Sequence, residues 1–116
     1  MNTELISRLA GCQGKVEWWP EGLSYHNEAQ PFALRYDDGM WFVSIEQAIH
    51  LVQSSLMEWL AEHANEYCDE LLITWDTRCK QWYISHNAEA EDFMGISDDL
   101  LTALLDAYDW YKEQTK

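Results

Sequence analysis

A chain of 116 residues with 47% apolar side chains, 21 acids against 7 Lys and Arg and a formal net charge of −14 can bury a core without disulfides or metals, and one domain over residues 1–116 is expected. Its negative field opposes binding to nucleic acid and to anionic membrane, because both carry charge that only cations could neutralise. Runs of apolar residues are as short as Met40-Trp41-Phe42-Val43, far below the roughly 18 that a membrane span needs.

In chain order, Thr3 to Ala10 reads as a short helix ended by Gly11. The segment carries an acid at position 4 and no apolar signal core, so no secretory leader is expected and a cytoplasmic address follows. Cys12, Cys68 and Cys79 cannot all pair internally and match no zinc or redox spacing, which predicts reduced thiols. Lys15 to Trp19 reads as a short strand, and the stretch from Pro20 to Pro31, with Gly22 inside it, as a loop.

Phe32, Leu34 and Tyr36 alternate on a strand, and Met40 to Val43 forms its return. Asp38-Gly39 between them predicts a tight turn with positive φ at both residues. Ser44-Ile45-Glu46-Gln47 has capping-box spacing, and beyond it Ile45, Ile49, Val52, Leu56, Trp59, Leu60 and His63 recur at helical steps toward Tyr67. A second hairpin follows, with Leu71, Ile73 and Trp75 facing Trp82, Ile84 and His86, and then a helix that Ser97 would cap. The fold predicted is α+β: one antiparallel sheet of four to five strands with two long helices packed on it, built as hairpin, helix, hairpin, helix after a short N-terminal helix.

Cations are absent from Tyr36 to Thr77 and from Gln81 to Tyr111, stretches that hold 16 of the 21 acids. Glu58, Glu62 and Glu66 repeat every four residues with Glu70 beyond, a spacing that costs helix stability and so invites a functional reading. On the last helix, Asp98, Asp99, Asp106, Asp109 and Glu113 fall in one wedge opposite Leu100, Leu101, Leu104, Leu105, Tyr108 and Tyr111. If the two helices are neighbours, these nine carboxylates make a single-sign face suited to a basic protein surface. The simpler reading of the same residues is a solvated acidic surface.

Trp41, Trp59, Trp75 and Trp82 fall at positions assigned to packing, and Trp110 sits at the edge of the acidic wedge. Trp18 and Trp19, as neighbours on a strand, would point to opposite faces and with Tyr25 form an aromatic platform for a small ligand or peptide. His63 lies on the apolar stripe and no histidine has a partner at metal-ligand spacing, so neither metal nor cofactor is expected. No nucleophile motif or phosphate loop appears, and no catalytic residue is nominated.

The aromatic segment QWYISHNAEAEDFMG leading into ISDDLLTALLDAYDWY, with the opening ELISRLAG, resembles the phage ABA sandwich domain of small phage proteins. That resemblance implies a phage or prophage accessory protein and transfers no site residue. The function expected is a non-enzymatic acidic interaction protein, an accessory or inhibitor that docks on a basic partner. The alternative is a ligand or peptide module at Trp18, Trp19 and Tyr25, and a homodimer through the sheet's free face or Trp110 is a third arrangement.

Overall fold

The structure is a computed structural model, and it describes residues 3–64, 71–85 and 93–114. The chain is α+β, and it divides into two compact units, Met1–Ser55 and Leu56–Lys116. Its elements are α1 (Thr3–Cys12), β1 (Leu23–Tyr25), β2 (Phe32–Tyr36), β3 (Gly39–Val43), α2 (Ile45–Ala64), β4 (Leu72–Asp76), β5 (Gln81–Ser85), β6 (Gly95–Ser97) and α3 (Leu100–Gln114). The division falls within α2.

Instead of one sheet there are two antiparallel three-stranded sheets, ordered β1-β2-β3 and β4-β5-β6. Each hairpin gains a three-residue strand, one inside the stretch expected as loop and one just ahead of the last helix, because strands this short carry no measurable alternation. Lys15 to Trp19 forms turns and no strand. The true partner of β2 is Leu23–Tyr25, with Leu23 opposite Leu34 and Tyr25 opposite Phe32.

In the first unit Phe32, Leu34 and Tyr36 share a face with Trp41 and Val43, as the alternation requires. Phe32 and Leu23 are buried there, as are Leu5 and Leu9 of α1, Trp18, and Ala48 and Val52 of α2. Removing a ring such as that of Phe32 from water stabilises by about 2 kcal/mol. Ser55 donates its hydroxyl to the Trp18 carbonyl, tying α2 to the turn segment. The hairpin pairs Tyr36 with Gly39, so its central residues are Asp37 and Asp38, one place earlier than the sequence suggests. Among the described residues positive φ occurs at Gly14, Gly22 and Lys80, so this turn does without it.

The capping box forms: Gln47 donates its N–H to Ser44 Oγ at 3.2 Å, and the Gln47 carboxamide oxygen accepts from the Ser44 N–H at 3.2 Å. Such a cap contributes about 1 kcal/mol. The apolar stripe of α2 holds, with Val52, Leu56, Trp59 and Leu60 buried. The expected end near Tyr67, like His86 and Cys68, lies outside the described residues.

In the second unit α3 packs on β5 and β6, and the closest approach is at Gly95. A Cβ there would run into the Ala103 carbonyl and stand 3.1 Å from the Ala107 nitrogen. Ala103 and Ala107 are therefore fully buried, which widens the covered side of α3 beyond the leucine stripe. Ser97 does not cap the helix, because it is the last residue of β6. Asp99 does so, its carboxylate accepting from the N–H and hydroxyl of Thr102, both at 2.9 Å. Asp98 and Asp99 accordingly precede the first turn, whereas a cap at Ser97 would have set both within it.

Gly95→Ala forces backbone apart and should lower stability by about 2 kcal/mol or more, read as a fall in the urea midpoint. Gly11→Ala is the control, since its Cβ would meet nothing within 4 Å and it lies in a helix. It should leave the midpoint unchanged or raise it.

Candidate functional site

Two features stand out, one in each unit: a carboxylate surface on the helices of the second, and an apolar strand edge in the first.

In the second unit Glu58 and Glu62 are exposed one turn apart on α2, and Asp98, Asp109 and Glu113 are exposed around α3. Asp106 and Asp99 are half-buried, the latter as the helix cap. Glu66 and Glu70 lie outside the described residues. An aromatic cluster holds the last turns of α2 to α3. Trp59 stacks on His63 at 3.9 Å and meets Tyr108 and Tyr111 edge-on at 5.0 and 5.2 Å. His63 Nδ1 lies 2.9 Å from the Trp59 carbonyl, and the Tyr111 hydroxyl donates to the His63 carbonyl at 3.3 Å. This histidine is a packing residue.

The expected single-sign face has a cation at its seam. The Lys112 ammonium lies 5.6 Å from the ring centres of both Trp59 and Tyr108. A cation over an aromatic face gains about 0.5–1 kcal/mol at such a partly wet site. Projection at 100° per residue sets Lys112 beside Leu105 and Tyr108, so the sequence carried this signal just past the cation-free run.

The aromatic platform is corrected. Trp18 is 2% exposed and belongs to the core. Trp19, half-buried, donates its indole N–H to the Leu23 carbonyl at 2.7 Å, and Tyr25 packs edge-on against Phe32 at 6.0 Å. The exposed rings are elsewhere. Trp41 is 62% exposed, with Tyr36, Met40 and Phe42 around it at 46% or more, and His26 meets Phe42 edge-on at 5.1 Å. Trp75 is exposed too, so two of the four tryptophans assigned to packing are at the surface. The signal for β3 was its unbroken apolar run, which makes both faces of a strand apolar at once.

Beside this hairpin an open groove of about 870 Å³ is lined by Leu34, Tyr36, Met40 and Leu51 with Arg35 and Asp37. That size suits a small molecule or a short peptide. Gly22 at its rim has φ +86°, and a Cβ there would stand 3.0 Å from the Arg35 carbonyl, so this wall is backbone against backbone.

The β4–β5 turn carries a carboxyl displaced downward from its ordinary value. Asp76 is held low by the N–H of Cys79 and then that of Arg78, which donate to Oδ1 at 3.2 and 2.8 Å. Tyr83 is pushed up by the Cys79 side chain beside it, then by burial and by the negative charge of Asp76. Among the described residues no three of His, Cys, Asp and Glu gather at metal-binding distance. No described helix is long and apolar enough to cross a membrane.

No protein-family model matches this chain, and neither a curated protein nor a solved structure matches it.

Because the folded pKa of Asp76 is depressed, its stabilising contribution is present above the ordinary carboxylate value and is lost as pH falls through the lowered one. The amide resonances of Arg78 and Cys79 should therefore titrate together with a midpoint below that of a free aspartate. A midpoint at the free value would mean that the turn is open in solution.

Proposed function

We propose that this chain is a non-enzymatic, cytoplasmic interaction protein whose acidic second unit docks on a basic protein surface, in the manner of an accessory or inhibitor encoded by a phage or mobile element. Charge distribution carries the proposal. Leu56–Lys116 holds 14 acids against 4 Lys and Arg, whereas Met1–Ser55 holds 7 against 3. Of the few cations in the acidic unit, Lys112 lies over aromatic rings, while Glu58, Glu62 and Glu113 stand in solvent. A concentrated field of one sign speeds encounter with an opposite surface and rejects nucleic acid and anionic lipid directly.

The immobilised chain should retain a basic protein from lysate at about 0.05 M salt and release it at about 0.5 M, as screening shortens the reach of the field. The combined Glu58→Gln, Glu62→Gln and Glu113→Gln variant should retain several-fold less. Equal recovery by both forms would remove these carboxylates from the interface.

A second reading, the binding of a small ligand or peptide, is favoured by the groove at Leu34, Tyr36 and Leu51 in place of the lost platform. A ligand seated there should change tryptophan emission through nearby Trp41, and Tyr36→Ala should weaken that response while leaving the circular dichroism spectrum intact. A response unaltered in Tyr36→Ala would place the ligand elsewhere.

A further inference from the structure

We propose that β3 is a self-association edge, pairing antiparallel with β3 of a second copy so that two three-stranded sheets join into one of six strands. Main-chain direction is the first support. Arg35 donates its N–H to the Gly22 carbonyl at 2.8 Å, and the Pro31 carbonyl accepts from the His26 N–H at 2.7 Å, so the odd residues along β2 bond toward β1. Arg35 and Ala33 stand opposite Met40 and Phe42. In an antiparallel ladder such pairs alternate with bonded ones, so Met40 and Phe42 turn their N–H and C=O groups outward, away from β2.

The two edges of this sheet are treated differently. The outer edge of β1 is closed by side chains and a turn: Gln13 accepts from the Tyr25 N–H at 2.8 Å, Trp19 donates to the Leu23 carbonyl, and the Leu23 N–H reaches Pro20 at 3.2 Å. Among the described residues nothing closes β3 this way. Gly39–Val43 has no Lys, no Pro and no bulge, the devices that keep an edge from pairing. Its Met40, Trp41 and Phe42 side chains are exposed on both faces.

Charge selects the occupant. Gly39–Val43 carries no charge, so its own copy meets it along the ladder with no like charges opposed. Pairing centred on Trp41 sets Met40 opposite Phe42 of the second copy, and their outward groups complete each other's hydrogen bonds. In that register Asp38 faces Ser44 and Asp37 faces Ile45, so no carboxylate meets a carboxylate across the two-fold axis. The interface also lies in the unit that carries −4 of the −14 net charge.

Sedimentation equilibrium of the full chain from roughly 1 µM to 500 µM should show a reversible monomer–dimer equilibrium, the ordinary range for a small interface. Added salt should tighten it, because it screens the repulsion between two anionic copies. Trp41→Lys removes the central ring pair, sets like charges face to face and should weaken the dimer about tenfold or more with an unchanged circular dichroism spectrum. Should that variant unfold, register decides independently. With Cys12, Cys68 and Cys79 changed to Ser, Trp41→Cys should cross-link to its own counterpart under mild oxidation, while Met40→Cys, facing residue 42, should not. A chain that stays monomeric throughout overturns the proposal, including one that binds only a foreign strand there. So does a dimer indifferent to Trp41→Lys in the folded variant, or equal cross-linking at 40 and 41.

Discussion

Main-chain N–H and C=O groups at the rim of a sheet need hydrogen-bond partners, and a three-stranded sheet has two rims for one central strand. In the first unit that constraint organises the residues around the sheet. Gln13 and Trp19 are spent on the rim of β1, which explains why an indole drawn from a polar turn segment points inward to a carbonyl. Gly22, at positive φ, lets the chain extend the β1 pairing to Arg35 without a side chain in the way. The rim of β3 receives no such cover among the described residues and carries instead the exposed apolar side chains of Met40, Trp41 and Phe42.

The second unit is governed by close approach. Gly95 allows α3 to lie against the sheet backbone to backbone, and Ala103 and Ala107 are the small residues that make the helix side flat enough. With that side and the leucine stripe both covered, the remaining arc of α3 is narrow, and carboxylates fill it. Trp59 closes the opposite flank with Tyr108 and Tyr111, and the Lys112 ammonium rests on the same rings. Glu58, Glu62 and Glu113 stand in solvent around a seam held by aromatic packing, an arrangement in which surface charge contributes little to folding.

The two surfaces differ in the physics of what they attract. Exposed carboxylates act through a long-range field that salt screens, whereas an apolar strand edge acts at contact, by main-chain hydrogen bonds and ring burial. The two proposed contacts would therefore respond oppositely to ionic strength.

Periodicity along the chain determined the three helices, the two principal hairpins and the Ser44 cap, because each rests on contacts within a few residues of sequence. The charge map was equally legible, since carboxylates in a row remain carboxylates wherever the row is placed. Sequence could not settle what depends on a distant neighbour. Whether Trp18 is covered and Trp41 is bare turns on which elements reach them, and alternation assigns a residue to a face without saying whether anything lies over it. The short strands β1 and β6 exist because a longer strand beside them supplies hydrogen bonds. The split into two sheets is likewise a decision of tertiary pairing: hairpin signals are local, but which hairpins share a ladder depends on main-chain groups far apart in sequence.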